Sequence, residues 1–403
     1  MSDSSQLASS LGLSNRYLMA STVAFGLGWM VVNSARTAPY SLLPVIGQQF
    51  GLSGAQTGII TSAYFLFYVA LQVPCGIVAD RIGPKRVLVP TYLVLGIALA
   101  LIGLLDTAYW PLLLLMGLQG TGAGGFYPTA YGMTVRSVPY RFRGFSAAIL
   151  NAGMAAGNAV GLIGGAWLYT VSGSWHLPFL VLAFPAVAMA AVFQFFLRDL
   201  PPAPRARIFP VELLRHRDFM ALTIAEFCSL FGFWTAIVWG PSFFQSERNI
   251  GLANAGMYTA IIAVSALPAG LIIGRLADHV GRRRLSITML PIAALMVLAL
   301  GFVQTSEALI VALVIYGFVG NNSWHPALIA WAGDVVAAEK PAAMGAALGF
   351  LNFAAMSSAV ITPVMSGLVR DISGSFQWAF FIGSFMVMVA FALCLAAREA
   401  PRL

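Results

Sequence analysis

Residues 76–86, GIVADRIGPKR, and residues 274–284, GRLADHVGRRR, decide how this chain is read. The two stretches lie 198 positions apart, each between two long apolar runs. In both, glycines permit a tight turn between helices, an Asp can accept hydrogen bonds from exposed helix N–H groups, and a basic cluster holds the turn on one side of a membrane. A second pair of markers gives nearly the same spacing: Asn151 with VSGSW at 171–175 matches Asn352 with ISGSF at 372–376, both 201 positions on. Two independent markers at nearly one offset indicate a tandem duplication.

The material between the markers is apolar. Of 403 residues, 59% are hydrophobic and 9% charged, against about a quarter charged in a soluble domain, which excludes a soluble globular protein. A bilayer-spanning helix needs about 20 mostly apolar residues. Such runs fall at 17–46, 58–78, 87–105, 111–135, 144–170 and 178–197, then at 219–243, 254–274, 285–304, 308–333, 342–369 and 376–397. The expected fold is an all-α membrane protein with twelve transmembrane helices in two pseudo-symmetric six-helix bundles. The bundles are residues 1–197 and 219–403, joined by a cytoplasmic linker at 198–218, RDLPPAPRARIFPVELLRHRD. The polar start of the chain lacks the basic region and cleavage site of a signal peptide, so the first span is expected to be a permanent helix.

A net charge of +8 invites a nucleic-acid reading. With the first residues placed in the cytoplasm, however, 19 of the 22 Lys and Arg residues fall in cytoplasmic segments, two (Arg248, Arg370) outside and one (Arg36) within a span. Topology accounts for that bias, so no nucleic-acid partner is expected and both termini are placed in the cytoplasm. Cys75, Cys228 and Cys394 lie in apolar runs with no metal-ligand spacing. No phosphate-binding G-x-x-x-x-G-K-[ST] appears, nor H-E-x-x-H or G-x-S-x-G. The expectation is a protein that is not an enzyme and uses no cofactor or metal.

Arg36 is the exceptional residue. An Arg at a helix centre costs roughly 2.5–3.5 kcal/mol on insertion scales. Trp29, Asn33, Arg36 and Tyr40 are spaced i, i+4, i+7, i+11 and so share one helix face, expected to look into a water-filled cavity. A guanidinium there offers a planar fork of donors that matches a carboxylate, phosphonate or sulfonate. The alternative is that Arg36 reaches the outer surface or pairs within the protein. In the other half, GNNSWHP supplies Asn321, Trp324 and His325 for the polar end of a small acid, with Pro326 allowing a local helix break. Asn151 and Asn352, at equivalent places, either line the cavity or bond between helices. His325 could also titrate near neutral pH and link transport to protons. Glu226, the only acid within a span, either snorkels to the interface or takes part in coupling. Trp234 and Trp239 either face the cavity or pack. Gly157, Gly161, Gly164 and Gly165 read as a close helix contact.

The duplicated loop resembles the signature loop of the major facilitator superfamily of secondary transporters. That resemblance implies a cytoplasmic latch formed by Gly76, Asp80, Arg81, Gly83, Arg86, Gly274, Asp278, Gly281 and Arg282, with His279 standing where the family usually has Arg; the alternative is that these residues only set topology. ARTAPYSLLPVIGQQFGLS (35–53), GTGAGGFYP (120–128), YRFRGFSAAILNAGMAAGNAVG (140–161) and VWGPSFF (238–244) together look like the anion:cation symporter branch, which implies small organic acids as cargo. Ala35 and Ala123 stand where members of that branch often carry coupling acids, and Met116 where they carry an Arg. The expected function is a secondary carrier of a small organic anion in the cytoplasmic (inner) membrane, monomeric, with protons as a candidate coupling ion and the halves rocking around Arg36. A multidrug or cation exporter, and a transporter-like scaffold that moves nothing, are the alternatives.

Overall fold

A computed structural model of the chain describes residues 14–399, apart from 107, 139, 200–210 and 340–343. Among the described residues there are fourteen α-helices, one short 3-10 turn at Val211–Arg215, and no strand. Eleven helical stretches are long and apolar enough to cross a membrane. The remaining expected run, 111–135, is two shorter helices end to end, α4 (Tyr109–Gly124) and α5 (Phe126–Ser137), meeting at Gly125.

The first three runs form α1 (Asn15–Phe50), α2 (Gly54–Ile82) and α3 (Pro84–Leu104). After α5 come α6 (Tyr140–Ser172) and α7 (His176–Phe196). The second half opens with α8 (Arg217–Arg248), α9 (Leu252–Val280) and α10 (Arg282–Phe302). Its tenth run divides as α11 (Ser306–Val319) and α12 (Asn321–Glu339), and α13 (Met344–Ser373) and α14 (Gln377–Ala396) complete it. The two interrupted runs occupy equivalent places in the halves. Sequence analysis put the break in the tenth run at Pro326; it lies at Gly320, whose ψ of −178° leaves the helix. A Cβ at Gly320 would stand 2.5 Å from the Tyr316 carbonyl oxygen, so only glycine fits. Ser323 Oγ then donates to the Gly317 oxygen at 2.7 Å, satisfying a carbonyl that the break would leave open.

Both signature loops are single-residue turns of the same shape. Gly83, between α2 and α3, has φ 102° and ψ 141°; Gly281, between α9 and α10, has φ 106° and ψ 137°. Positive φ at this ψ is almost restricted to glycine. Each following helix begins on a carboxylate from the end of its own half: Asp199 accepts from Lys85 N at 3.3 Å and lies 3.5 Å from Arg86, and Glu399 accepts from Arg282 N at 3.0 Å. An acid at a helix start satisfies open N–H groups and complements the dipole.

The chain divides into two compact units, one of Met1–Leu42 with Ala63–Arg205, the other of Leu43–Ser62 with Ala206–Leu403. In the first, α1 lies against α6 without intervening side chains. A Cβ on Gly153, Gly157, Gly161 or Gly165 would collide with α1 backbone, whereas Gly164 faces open space. The expected glycine contact therefore holds for Gly157, Gly161 and Gly165, gains Gly153, and omits Gly164. Because lipid tails are as apolar as leucine, such helices associate through close packing and hydrogen bonds. Three hydroxyls of α1 supply the bonds: Ser34 to the Gly157 oxygen at 3.1 Å, Thr37 to Asn158 O at 3.2 Å and Ser41 to Leu162 O at 3.0 Å. In the second unit, the start of α2 packs on α13. Asp371 accepts from Gly54 N at 2.6 Å and Ala55 N at 2.8 Å, and Ser62 Oγ donates to the Val360 oxygen at 2.6 Å.

Candidate functional site

The face of α1 that carries Trp29, Asn33, Arg36 and Tyr40 is buried throughout. Trp29 stacks on Phe126 of α5 with ring centroids 5.0 Å apart and leans on Tyr127. Arg36 is only 7% exposed, so it does not reach the outer surface, and α1 runs unbroken through Pro39 and Pro44. The guanidinium is positioned by amides. Its Nη2 donates to Asn33 Oδ1, one turn back, and to Asn158 Oδ1 of α6 at 3.0 Å; Asn33 is itself fixed by donating to the Trp29 oxygen at 2.6 Å. Amide oxygens thus orient the fork.

Tyr40, Tyr64 and Tyr68 stand within electrostatic reach of Arg36, and Tyr64 and Tyr68 stack with centroids 5.8 Å apart. Tyr68 bonds to Gln72, and Gln119 of α4 donates to the Ala35 oxygen at 2.8 Å. The Trp29 N–H and the Tyr40 and Tyr64 hydroxyls are buried without hydrogen-bond partners. Buried polar atoms are nearly always satisfied. Here one cluster in the first unit holds a guanidinium and three donors that lack an acceptor, within aromatic walls. Chemically, it suits a small anion with several acceptor oxygens.

Sequence analysis missed Asn158, Tyr64, Tyr68 and Gln72. A signal was present in the last three, spaced i, i+4, i+8 along one face of α2; Asn158 carries none apart from being polar in a span. Asn151, expected in the site, is exposed on α6 and accepts from Tyr131 at 3.4 Å. Ala35 and Ala123 are fully buried.

The second unit holds a different cluster. Glu226 of α8 is completely buried, which overturns the snorkelling reading. Its Oε1 lies 2.5 Å from His325 Nδ1 and accepts from Asn321 Nδ2 at 3.1 Å, while Asn321 also reaches Ser229 Oγ at 3.3 Å. Oε2 is buried without a hydrogen-bond partner. The restart of the helix at Asn321 places Asn321 and His325 one turn apart on the same face, toward α8. Trp324 is fully buried with its N–H unpartnered. Trp239 is a packing residue, donating to the Pro363 oxygen at 3.0 Å beside Phe376; Trp234 packs edge-on to Phe233. Asn352 is part-exposed on α13. Asn321 and His325 are thus brought to Glu226.

Of the latch residues, Gly83 and Gly281 form the turns described above and Arg86 meets Asp199. Asp80 is half-buried and Arg81 exposed in the last turn of α2, near Gly76. Arg282 pairs with Asp334 at the end of α12 and donates to the Ala330 oxygen at 2.6 Å. Gly274 and Asp278 lie on α9, and their side chains are outside the described residues. Among the described residues no cluster of His, Cys, Asp and Glu could hold a metal ion.

Comparison with known proteins agrees with this architecture. The family model described as Major Facilitator Superfamily matches residues 18–346 and 222–403. The chain is 25% identical over 375 residues to a probable sulfoacetate transporter of Cupriavidus necator, covering 86% of each chain. It is 24% identical over 385 residues to a hexuronate transporter of Bacillus subtilis, covering 88% of each. A multidrug resistance protein of Salmonella typhi matches at 26% over 293 residues, 69% of this chain and 72% of that one. In structure, the chain resembles a bacterial homolog of the human lysosomal transporter Spinster, with a TM-score of 0.81 at 17% identity, covering 96% of this chain and all of that one.

Proposed function

The chain belongs to the Major Facilitator Superfamily and is a multi-pass membrane transporter, not an enzyme, and we propose that this member carries a small organic anion, a carboxylate or sulfonate, bound at Arg36. The observation that carries the reading is the donor excess around that residue: a buried guanidinium oriented by two amide oxygens, beside the acceptor-seeking Trp29, Tyr40 and Tyr64. Relatives named for sulfoacetate and hexuronate transport support the same class of cargo. In this reading Asn33 and Asn158 aim the fork, and the aromatic residues supply apolar walls that keep water from competing. The carrier is monomeric, works by alternating access between two six-helix bundles in the cytoplasmic membrane with both termini inside, and takes its energy from a gradient.

Uptake of labelled sulfoacetate and a panel of carboxylates into proteoliposomes tests it. Arg36→Lys keeps the charge and loses the fork. A hydrogen bond to a charged group contributes about 1.5–3 kcal/mol, so losing one should weaken half-saturation by roughly one to two decades, and Arg36→Ala should abolish saturable uptake. Uptake with unaltered half-saturation in both variants removes Arg36 from the site.

A second reading, export of a cationic drug, is favoured by the fully buried Glu226 and by the multidrug relative. It requires transport that survives Arg36→Ala, the opposite of what the first reading requires.

A further inference from the structure

We infer that Glu226 and His325 form a single proton-binding site, with Asn321 as its positioning residue, and that this site couples transport to protons. The inference rests on the carrier reading above, because a proton can drive uptake only where a solute moves.

Glu226 and His325 are 99 positions apart in the chain, on different helices, and meet at 2.5 Å, within reach of a direct hydrogen bond between carboxylate and imidazole. With that proton present the pair is neutral overall, whichever atom holds it. Without it, the pair carries a net negative charge centred on a carboxylate that is not exposed, which is unfavourable. A site whose charge depends on its surroundings is what a driven carrier requires.

The surroundings favour a proton over a metal cation. Oε1 is met by the imidazole nitrogen and by an amide N–H, whereas sodium would need a shell of oxygens. Oε2 is buried with no hydrogen-bond partner among the described residues, so no oxygen shell surrounds the carboxylate. Access is graded as well: the His325 side chain is 26% exposed and that of Glu226 is not exposed. A proton arriving at His325 Nε2 allows the Nδ1–H bond to break as an O–H bond forms at Glu226 Oε1; no electrons are transferred.

The titratable neighbours are few. Cys394 of α14 is within electrostatic reach of Glu226, with Arg283 of α10 beyond it. Cys228 lies two residues along α8. On α9, Arg275, Asp278 and His279 occupy the last turns and Tyr258 the second turn; on α13, Arg370 and Asp371 occupy the last turn.

The test has two arms. In the first, which needs no solute, infrared spectra of the purified protein are recorded across pH. The wild type should show a protonated-carboxyl band absent from Glu226→Gln and displaced in pH midpoint by His325→Gln and Asn321→Ala. No such band between acid and alkaline limits overturns the proposal, as does a stabilisation of wild type by sodium chloride over potassium chloride that Glu226→Gln loses. In the second, proteoliposomes carrying an internal pH dye are given sulfoacetate. Wild-type uptake should acidify the lumen, and in Glu226→Gln the ratio of net uptake to sulfoacetate exchange should fall at least tenfold. Equal loss of both, or acidification persisting in Glu226→Gln, refutes coupling at this site. If sulfoacetate does not move even in wild type, the reading of the cargo fails, and the infrared arm still decides whether the pair binds the proton.

Discussion

Gly161→Ala makes a sharp test of the α1–α6 contact. A Cβ there would stand 2.5 Å from the Ser34 oxygen and 3.0 Å from Ala38 N, and closer still to Thr37 Oγ1. Two of those atoms are backbone, so no rotamer change relieves the clash and the helices must separate. Separation weakens the three hydroxyl bonds to Gly157, Asn158 and Leu162, each contributing about 0.6 kcal/mol in membrane proteins, while overpacking alone typically costs 1–3 kcal/mol. The sum is roughly 3–5 kcal/mol, or about 6–20 °C of melting temperature for a unit of this size. Gly164→Ala is the matched control: the same substitution on the same helix meets nothing within 4 Å and should be neutral or gain up to ~1 kcal/mol from helix propensity. Thermal unfolding of the two variants in the same detergent, followed by tryptophan fluorescence, provides the comparison. Equal melting temperatures would refute the packing described here. Asn158 lies between Gly157 and Gly161 and bonds to Arg36, so Gly161→Ala should also weaken anion binding although it touches no anion.

Two further outcomes follow from the turns and caps. Gly83→Ala and Gly281→Ala each place a side chain at positive φ and should destabilise by about 1–3 kcal/mol, with the Cβ at Gly83 also meeting the Asp199 carboxylate; unchanged melting temperatures in both variants would refute the strained turns. Asp371→Ala removes the acceptor for Gly54 N and Ala55 N and should cost about 1 kcal/mol. Amide exchange at those two residues should then quicken roughly fivefold, and unchanged exchange would mean that water substitutes for the carboxylate.

The periodic features were legible in the sequence. Apolar runs, the duplicated glycine turn and the basic bias gave the helices, the halves and the predicted sides, because these depend on one residue type recurring at fixed spacing. Pairings across helices were not legible, since they depend on how each helix is rotated. Arg36 stood out as a lone charge, yet Asn158 is known as its partner only once the glycines of α6 bring the two backbones together. Glu226 and His325 were each noticed, and nothing in their positions showed that they meet. The break at Gly320 was attributed to the neighbouring proline because proline is the stronger signal; the deciding fact, the closeness of the Tyr316 oxygen, is purely spatial. The Asp199 and Glu399 caps, 200 positions apart after matching arginines, could have been found by extending the repeat.

The hydroxyls between α1 and α6 have one more property. Ser34 and Thr37 each lie within bonding distance of two acceptors, the carbonyl across the seam and that of their own helix four residues back, at 2.9 Å for both Met30 and Asn33. When the seam shifts, each hydroxyl keeps its intrahelical acceptor while it exchanges the other, so no donor is left bare at any stage. A joint built in this way keeps its donors satisfied through small changes of spacing, while the glycines hold the register of α1 on α6.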